Sequence, residues 1–412
     1  MQSRRGFMGT SAAALTAASA QRVLGANERI RLGVIGTGSR GTYVMQLFQK
    51  NADLEVVALC DVFRPNLEAA AAKGKLDPGS VGMYGDYRRV LERKDVDVVL
   101  IGTPDHWHCP ILMDACQAGK DAYVEKPLSN EIEPCQRAVE MVKKYNRVVQ
   151  VGIQQRGYEH YRRAAKMVQE GALGKVYLVM LMYSGLYGGR GDSPTDPPPG
   201  LDWEMFQGPA PRRPYKSSRQ RSWRSYYDYG GGLVTDWGVH LTDVAHWFMQ
   251  ARAPRTAAAA AQYVRYDPAL TDEMPDTVSV SWTYDNFVMS LQSWTVPWLP
   301  PEIPKISTYG DIFCGTRGAL FVNRESFGVF PVSTRPGSSA PPLEAINFRR
   351  PDNSDEGTIN FVRNLLDCVK SREKPLMDIE TGFTSTLPTL LGRLAVRDAR
   401  MYAWDGTKAV RV

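Results

Sequence analysis

Three side chains in this sequence have the chemistry to handle a proton near neutral pH, and they fall in two stretches. Lys126 closes the apolar run DAYVEKP (121–127). At the end of a strand inside a cleft, desolvation lowers a lysine pKa and makes the amine useful; at a solvated strand end it stays an ordinary lysine. Asp236 and His240 lie four residues apart in DYGGGLVTDWGVHLTDVAHW (228–247). Helical spacing there predicts Asp236, His240 and Asp243 on one face, after a close turn at Gly230 to Gly232. A histidine oriented by a carboxylate can move a proton on and off a hydroxyl. The competing reading is a capping aspartate beside a buried, satisfied histidine.

Such groups need a frame, and the first half of the chain supplies one. IRLGVI (30–35) is short, apolar and β-branched, as a buried parallel strand should be. Gly36-Thr37-Gly38-Ser39-Arg40-Gly41 follows at once, and TYVMQLFQK has helical spacing. Strand, G-x-G-x-x-G loop and helix in that order is the context of a dinucleotide fingerprint, with the helix N-terminus facing a pyrophosphate. LEVVALCD ends in Asp61, twenty residues past Gly41. An acid there accepts both ribose hydroxyls and repels a 2′-phosphate, which predicts NAD; Arg64 keeps NADP open.

Strand-like runs recur at 96–103, 121–127 and 148–155 with helical stretches between, the alternation of a doubly wound parallel sheet. Ligand sits at the carboxyl ends of such strands. Those ends here carry Thr103-Pro104-Asp105-His106-Trp107-His108, Glu125-Lys126-Pro127 and Gln154-Gln155-Arg156. His106 and His108 invite a metal reading, but a site needs further ligands, so no metal is expected. The expected cofactor contacts are residues 36–41, Asp61, Thr103, Pro104, His108, Glu125, Lys126, Pro127 and Gln154.

From VYLVMLMYS (176–184) the pattern changes to alternating strands at 277–296 and 307–323, predicting a large open sheet. An amphipathic helix at 359–372 and a last helix near 383–402 are expected to return and pack. A long segment rich in Gly, Pro and Arg precedes residue 224; its arginines suit an anionic substrate, a solvated loop or a subunit contact equally. Arg156, Arg224, Tyr226, Tyr227, Tyr229 and Trp237 are candidate sugar contacts, because aromatic faces stack on pyranose rings.

The whole-chain composition is ordinary: 412 residues, 43% hydrophobic, 23% charged, formal charge +6. So weak and scattered a basic excess argues against nucleic acid, and no stretch has the ~20 apolar residues of a membrane span. Cys60, Cys109, Cys116, Cys135, Cys314 and Cys368 form no CxxC pair and read as small buried hydrophobes. At the front, SRRGFMG (3–9), the alanine-rich run TSAAALTAASA (10–20) and the site Ala18-Ser19-Ala20 read as an export leader. It resembles a twin-arginine (Tat) signal, with Met8 and Gly9 departing from the usual pattern, and implies a periplasmic protein.

Taken together, GTGSRG, TPDHWH, VEKPL, GGGLVTDWGVH and NFVRNLLDCVKSREKP in this order resemble the Gfo/Idh/MocA oxidoreductases (glucose–fructose oxidoreductase, inositol dehydrogenase and relatives). The resemblance covers nearly everything after the leader. It implies an α/β chain: a Rossmann dinucleotide-binding domain, then an α+β domain with a large open, mostly antiparallel sheet. The expected boundaries are a leader and linker at 1–26, a cofactor domain at 27–155, a substrate and oligomerisation domain at 156–382, and a C-terminal helix and tail at 383–412. By the same resemblance Lys126, Asp236 and His240 are catalytic. His240 is the acid/base, Lys126 bonds substrate or nicotinamide ribose, and Asp236 holds substrate. The implied substrate is a sugar, glycoside or cyclitol, and the implied assembly a homodimer or homotetramer. Three activities follow: redox-neutral sugar oxidoreduction on tightly bound nicotinamide, NAD-dependent glycoside hydrolysis through transient oxidation at carbon 3, or a non-catalytic sugar sensor.

Overall fold

The computed structural model describes residues 29–77, 79–185, 192–264, 273–294, 309–332, 343–352 and 354–412. The expected leader at 1–26 lies outside them, as does residues 186–191 of the Gly/Pro/Arg-rich loop. The chain forms two compact units. The first runs to Gly152 and adds Thr195–Tyr215 and Thr358–Gly382; the second holds Ile153–Pro194, Lys216–Gly357 and Phe383–Val412.

The first unit is built on six parallel strands: β1 (Ile30–Ile35), β2 (Leu54–Cys60), β3 (Gly82–Tyr84), β4 (Val98–Ile101), β5 (Asp121–Val124) and β6 (Val149–Val151). Their order is β3-β2-β1-β4-β5-β6, so the chain reverses direction between β1 and β4. That switch opens the crevice where α/β sheets take ligands. The strands are apolar on both faces because both are covered: Leu32, Val34, Val98 and Leu100 are wholly buried. Val44, Met45 and Phe48 of helix Ser39–Phe48 complete the core, joined by Val362, Leu365, Leu366 and Val369 of helix Glu356–Ser371. The segment 195–215 is held by α-helix Asp105–Gln117: Trp107 Nε1 donates to the carbonyls of Met205 and Phe206, each at 3.0 Å.

The second unit carries a ten-stranded sheet among the described residues. Its strands are β7 (Val176–Ser184), β8 (Thr256–Gln262), β9 (Thr277–Thr283), β10 (Val288–Trp294), β11 (Tyr309–Gly315), β12 (Gly318–Val322), β13 (Ser326–Pro331), β14 (Ile346–Arg349), β15 (Tyr402–Trp404) and β16 (Ala409–Arg411). The order is β14-β13-β12-β11-β7-β10-β9-β8-β15-β16; neighbours are antiparallel except β7 and β10. Side chains alternate between faces. Val179, Leu181, Val280, Trp282, Met289, Leu291, Phe313 and Leu320 all point to the buried one. Helix Gly238–Met249 lies on that face, its Phe248 stacking on Phe313 at 4.8 Å. Helix Ile379–Asp398 lies there too, its Pro388 carbonyl accepting Trp282 Nε1–H at 2.8 Å.

Helix Gly238–Met249 is enclosed nearly all round, so the three ionisable groups it buries each need compensation. Asp243, fully buried, accepts Arg156 Nη2 at 2.8 Å and Ser385 Oγ at 2.8 Å. His246 Nε2 meets the Tyr284 hydroxyl at 2.7 Å, and burial pushes its pKa down to about 3. The imidazole is thus neutral when folded, while the unfolded chain takes up a proton below the ordinary histidine value. Folded stability contributed by this group is complete above about pH 6.5 and falls as the pH drops towards 3. Between about pH 7.5 and about pH 5, wild-type protein should therefore lose about 2 kcal/mol more stability than His246→Gln. Urea unfolding of both proteins at the two pH values measures that difference; equal losses would show His246 protonated in the fold.

Candidate active site

The cofactor loop is made by close approach. A Cβ on Gly41 would lie 1.9 Å from the Gly36 carbonyl oxygen, so only glycine lets helix Ser39–Phe48 start this close to β1. Gly38 differs: its backbone (φ −60°, ψ −173°) is open to any residue, and a Cβ there would meet nothing within 4 Å. That vacant cradle beside a helix N-terminus suits a pyrophosphate, whose oxygens take the unpaired N–H groups. Asp61 closes the far side of the loop, accepting Thr37 N–H at 2.8 Å and Phe63 N–H at 2.9 Å. Burial raises its pKa, opposed by these donors and by Asn66. Arg64 pairs with Glu68 at 2.9 Å.

At the ends of β4 and β5 the residues divide into two kinds. His106 is buried with Nε2 at 2.9 Å from the Phe206 carbonyl, so with Trp107 it holds the segment 195–215. His108 lies between two carbonyls, Nδ1 at 2.7 Å from Pro127 and Nε2 at 2.9 Å from Thr103. Complete burial keeps its pKa below the ordinary value despite both acceptors. Thr103 Oγ1 is buried with no hydrogen-bond partner among the described residues, an orphan where a ligand is expected. Arg40 Nε donates to Glu125 Oε1 at 2.8 Å, tying the glycine loop to the strand end that carries Lys126. Lys126 is partly exposed. These features fit NAD on the first unit.

The second unit carries the other reactive groups. Asp236 ends one short helix and His240 and Asp243 lie in the next, which starts at Gly238 after a single linking residue, Trp237, of helical backbone (φ −91°, ψ −35°). Asp236 accepts Arg224 Nε at 3.1 Å. His240 is buried, and its Nδ1 lies 2.9 Å from Gln155 Oε1. A carboxamide oxygen can only accept, so Nδ1 carries the proton and Nε2 keeps its lone pair. Gln155 sat in the quoted strand end without a role; only the three-dimensional structure places it on His240. Its neighbour Gln154 has a buried Oε1 with no partner among the described residues.

The remaining expected contacts are engaged within the unit. Arg156 is committed to Asp243. Tyr229 is wholly buried, with Arg219 over its ring and Tyr226 beside it. Arg219 itself pairs with Asp228. Trp237 is stacked by Tyr183 at 4.4 Å and lies near Tyr309 and His240. Among the described residues no group of three His, Cys, Asp or Glu is placed to hold a metal, and no helix is long and apolar enough to cross a membrane.

Comparison with known proteins decides the family. Residues 30–153 match the model of the oxidoreductase family with an NAD-binding Rossmann fold, GFO_IDH_MocA, and residues 161–310 match the Gfo/Idh/MocA C-terminal domain. The chain belongs to the Gfo/Idh/MocA family. Its first unit is an NAD-binding Rossmann fold. The uncharacterized oxidoreductase YrbE of Bacillus subtilis (strain 168) is 23% identical over 265 residues, 64% of this chain and 66% of that protein. An inositol 2-dehydrogenase of Salmonella paratyphi B is 30% identical over 36% of this chain and 44% of its own length. An alpha-N-acetylgalactosaminidase of Shewanella oneidensis is 35% identical over 118 residues, 27% of this chain and 26% of that protein. The matches therefore span just under two thirds of the first relative and less than half of the others. The fold is that of the aldose-aldose oxidoreductase from Caulobacter crescentus (TM-score 0.68, 18% identity, covering 92% of this chain and all of that one). It is also that of levoglucosan dehydrogenase solved with NADH and levoglucosan (TM-score 0.67, 18% identity, 91% and 99% covered).

The loop geometry separates two glycine substitutions. Gly38→Ala should melt like wild type yet bind NAD at least ~10-fold more weakly, because the methyl group takes the pyrophosphate's place. Gly41→Ala should lower the melting temperature as well. Calorimetric NAD titration and thermal melts of both variants check this; undiminished NAD affinity in Gly38→Ala would remove the cradle.

Proposed function

We propose that this protein oxidises a secondary hydroxyl of a sugar, glycoside or cyclitol and reduces a second carbonyl in return, in a redox-neutral cycle on tightly held NAD. The observation that carries the reading is the hydrogen bond of His240 to Gln155, which holds the proton on Nδ1 and so makes Nε2 the basic nitrogen of the ring. Bound nicotinamide supplies the two-electron acceptor and donor; residues 36–41, Asp61, Thr103, His108 and Glu125 would hold it. As the hydroxyl carbon is oxidised, His240 Nε2 takes the oxygen's proton, and in the return half-reaction gives it to the new alkoxide. Lys126 stabilises that oxygen by donating to it, and Asp236, steadied by Arg224, orients a neighbouring hydroxyl. Asp61 favours NAD over NADP.

The twin-arginine reading of SRRGFMG belongs to this proposal. A folded protein exported with its cofactor meets no nicotinamide pool outside, so the same site must reset it. Sugar-to-sugar exchange satisfies that condition. A second reading is favoured by the 35% match to the alpha-N-acetylgalactosaminidase, which lies in a stretch of only 118 residues. In that reading, oxidation at carbon 3 of the substrate acidifies the proton on carbon 2, the aglycone leaves, water adds and the ketone is reduced.

Protein purified without added nucleotide should carry about one NAD per chain by mass spectrometry. Mixing it with a panel of sugars should raise the nicotinamide absorbance, and a second carbonyl sugar should lower it again. His240→Asn should reduce turnover by ~100-fold or more. Aglycone release from aryl glycosides without net reduction would establish the second reading. Full biological activity in His240→Asn would leave only a sensor. Gln155→Leu should lower kcat about tenfold and displace the pH–rate profile, since Nδ1 then lacks its acceptor; an unchanged profile would refute the tautomer assignment.

A further inference from the structure

Polar side chains gather in one row of the buried face of the ten-stranded sheet. Ser293 on β10 pairs with Tyr183 on β7, and Tyr183 pairs with Tyr309 on β11. Arg324, two residues past Val322 of β12, brings its guanidinium carbon to 4.8 Å from the centre of the Trp237 ring. Trp237 in turn stacks on Tyr183 and lies 5.7 Å from the His240 ring. The row thus sits on the same residues that carry the acid/base.

Two of its residues, Arg324 and Ser293, carry buried polar atoms with nothing to bond among the described residues. Arg324 Nε and Nη2 are buried without a hydrogen-bond partner among the described residues, and so is Ser293 Oγ. A guanidinium is charged at every accessible pH, and leaving its buried N–H groups unpaired is costly. The acids on this face do not neutralise it. Glu325 accepts the Tyr309 hydroxyl at 2.5 Å. Asp311 is wholly buried, both its oxygens lack partners among the described residues, and burial beside Asp243 pushes its pKa well up.

We propose that Arg324 receives a carboxylate of the substrate, so that the sugar handled at this site is an acidic one such as a uronate or aldonate. The assignment rests on the sugar-oxidoreductase reading and makes its substrate class specific. Two adjacent N–H donors match the two oxygens of a carboxylate in a forked pair. A single guanidinium balances one negative charge, which favours a carboxylate over a phosphate dianion. The stacked Trp237 and Tyr183 rings hold the planar cation in place, and the Ser293 hydroxyl adds a neutral donor or acceptor to the same row.

The test is calorimetric binding and single-turnover reduction of the bound cofactor, using the NAD-loaded full chain. The probes are sodium D-glucuronate, sodium D-galacturonate, D-glucose, D-galactose and D-glucose 6-phosphate. The expected result is at least ~10-fold tighter binding of a uronate than of its neutral counterpart. In Arg324→Gln the ratio should fall to about one; Arg324→Lys, which keeps the charge without the fork, should retain part of it. Circular dichroism and melting confirm that each variant is folded. Equal binding of acid and neutral sugar by wild type, or a preference that survives Arg324→Gln, would overturn the assignment while leaving the proposed activity intact. Preference for the 6-phosphate would overturn the carboxylate choice. Arg324-dependent uronate binding with no cofactor reduction by any sugar would uphold the anion site and sink the proposed activity.

Discussion

Three backbone segments touch at the switch point of the first sheet, where Gly36 ends β1, Gly41 sits in the first turn of the following helix and Gly102 ends β4. A Cβ on Gly41 would collide with the Gly36 carbonyl, and one on Gly102 would come within 3.1 Å of it. This contact brings a helix N-terminus, with its unpaired N–H groups, to the crevice between β1 and β4. The other features of the first unit follow from that position. Asp61 can close the loop from β2, Arg40 can reach Glu125 at the end of β5, and Lys126 is left at the rim.

The second unit meets a different constraint: it buries ionisable groups deeply and must pair each one. Arg156 with Asp243 and Arg219 with Asp228 are such pairs. Removing one partner of a buried pair leaves an uncompensated charge, at about 3–5 kcal/mol, so these arginines serve the fold first. Against that background the groups left without partners stand out. Gln154 Oε1, Ser293 Oγ, both oxygens of Asp311 and two nitrogens of Arg324 have no hydrogen bonds among the described residues. Of these, Arg324 lies over the Trp237 ring next to His240, which points to where ligand chemistry belongs.

The histidines show how much the protein decides by local bonding. His106 and His108 lie two residues apart on one helix, yet one anchors a loop and the other bridges two strand ends. His246 is held neutral by burial within the helix that also bears His240. Only His240 meets a carboxamide oxygen, and that acceptor assigns its proton to Nδ1.

Much of the architecture was legible in the residues. Apolar β-branched runs marked the parallel strands, and β7 is observed at Val176–Ser184 as its alternation predicts. The glycine loop, Asp61 and the strand-end motifs could be read because their spacing is local: turn, helix start and strand end involve neighbours in sequence. Where reading went astray, distant residues decided. Helical spacing through 236–243 did not show that Trp237 divides two helices and packs its ring on Tyr183 and Tyr309 of the sheet. Gln155 meets His240 across 85 residues of chain, and Arg156 is drawn to Asp243 across 87. The segment 195–215 joins the first unit through His106 and Trp107, a membership its composition does not reveal. By itself the sequence determined the elements and the cofactor fingerprint, because those depend on periodicity and nearest neighbours. Which buried polar groups are paired, which nitrogen of His240 carries the proton and which arginine keeps open donors were decided only by tertiary structure, because hydrogen-bond partners are chosen by proximity in space.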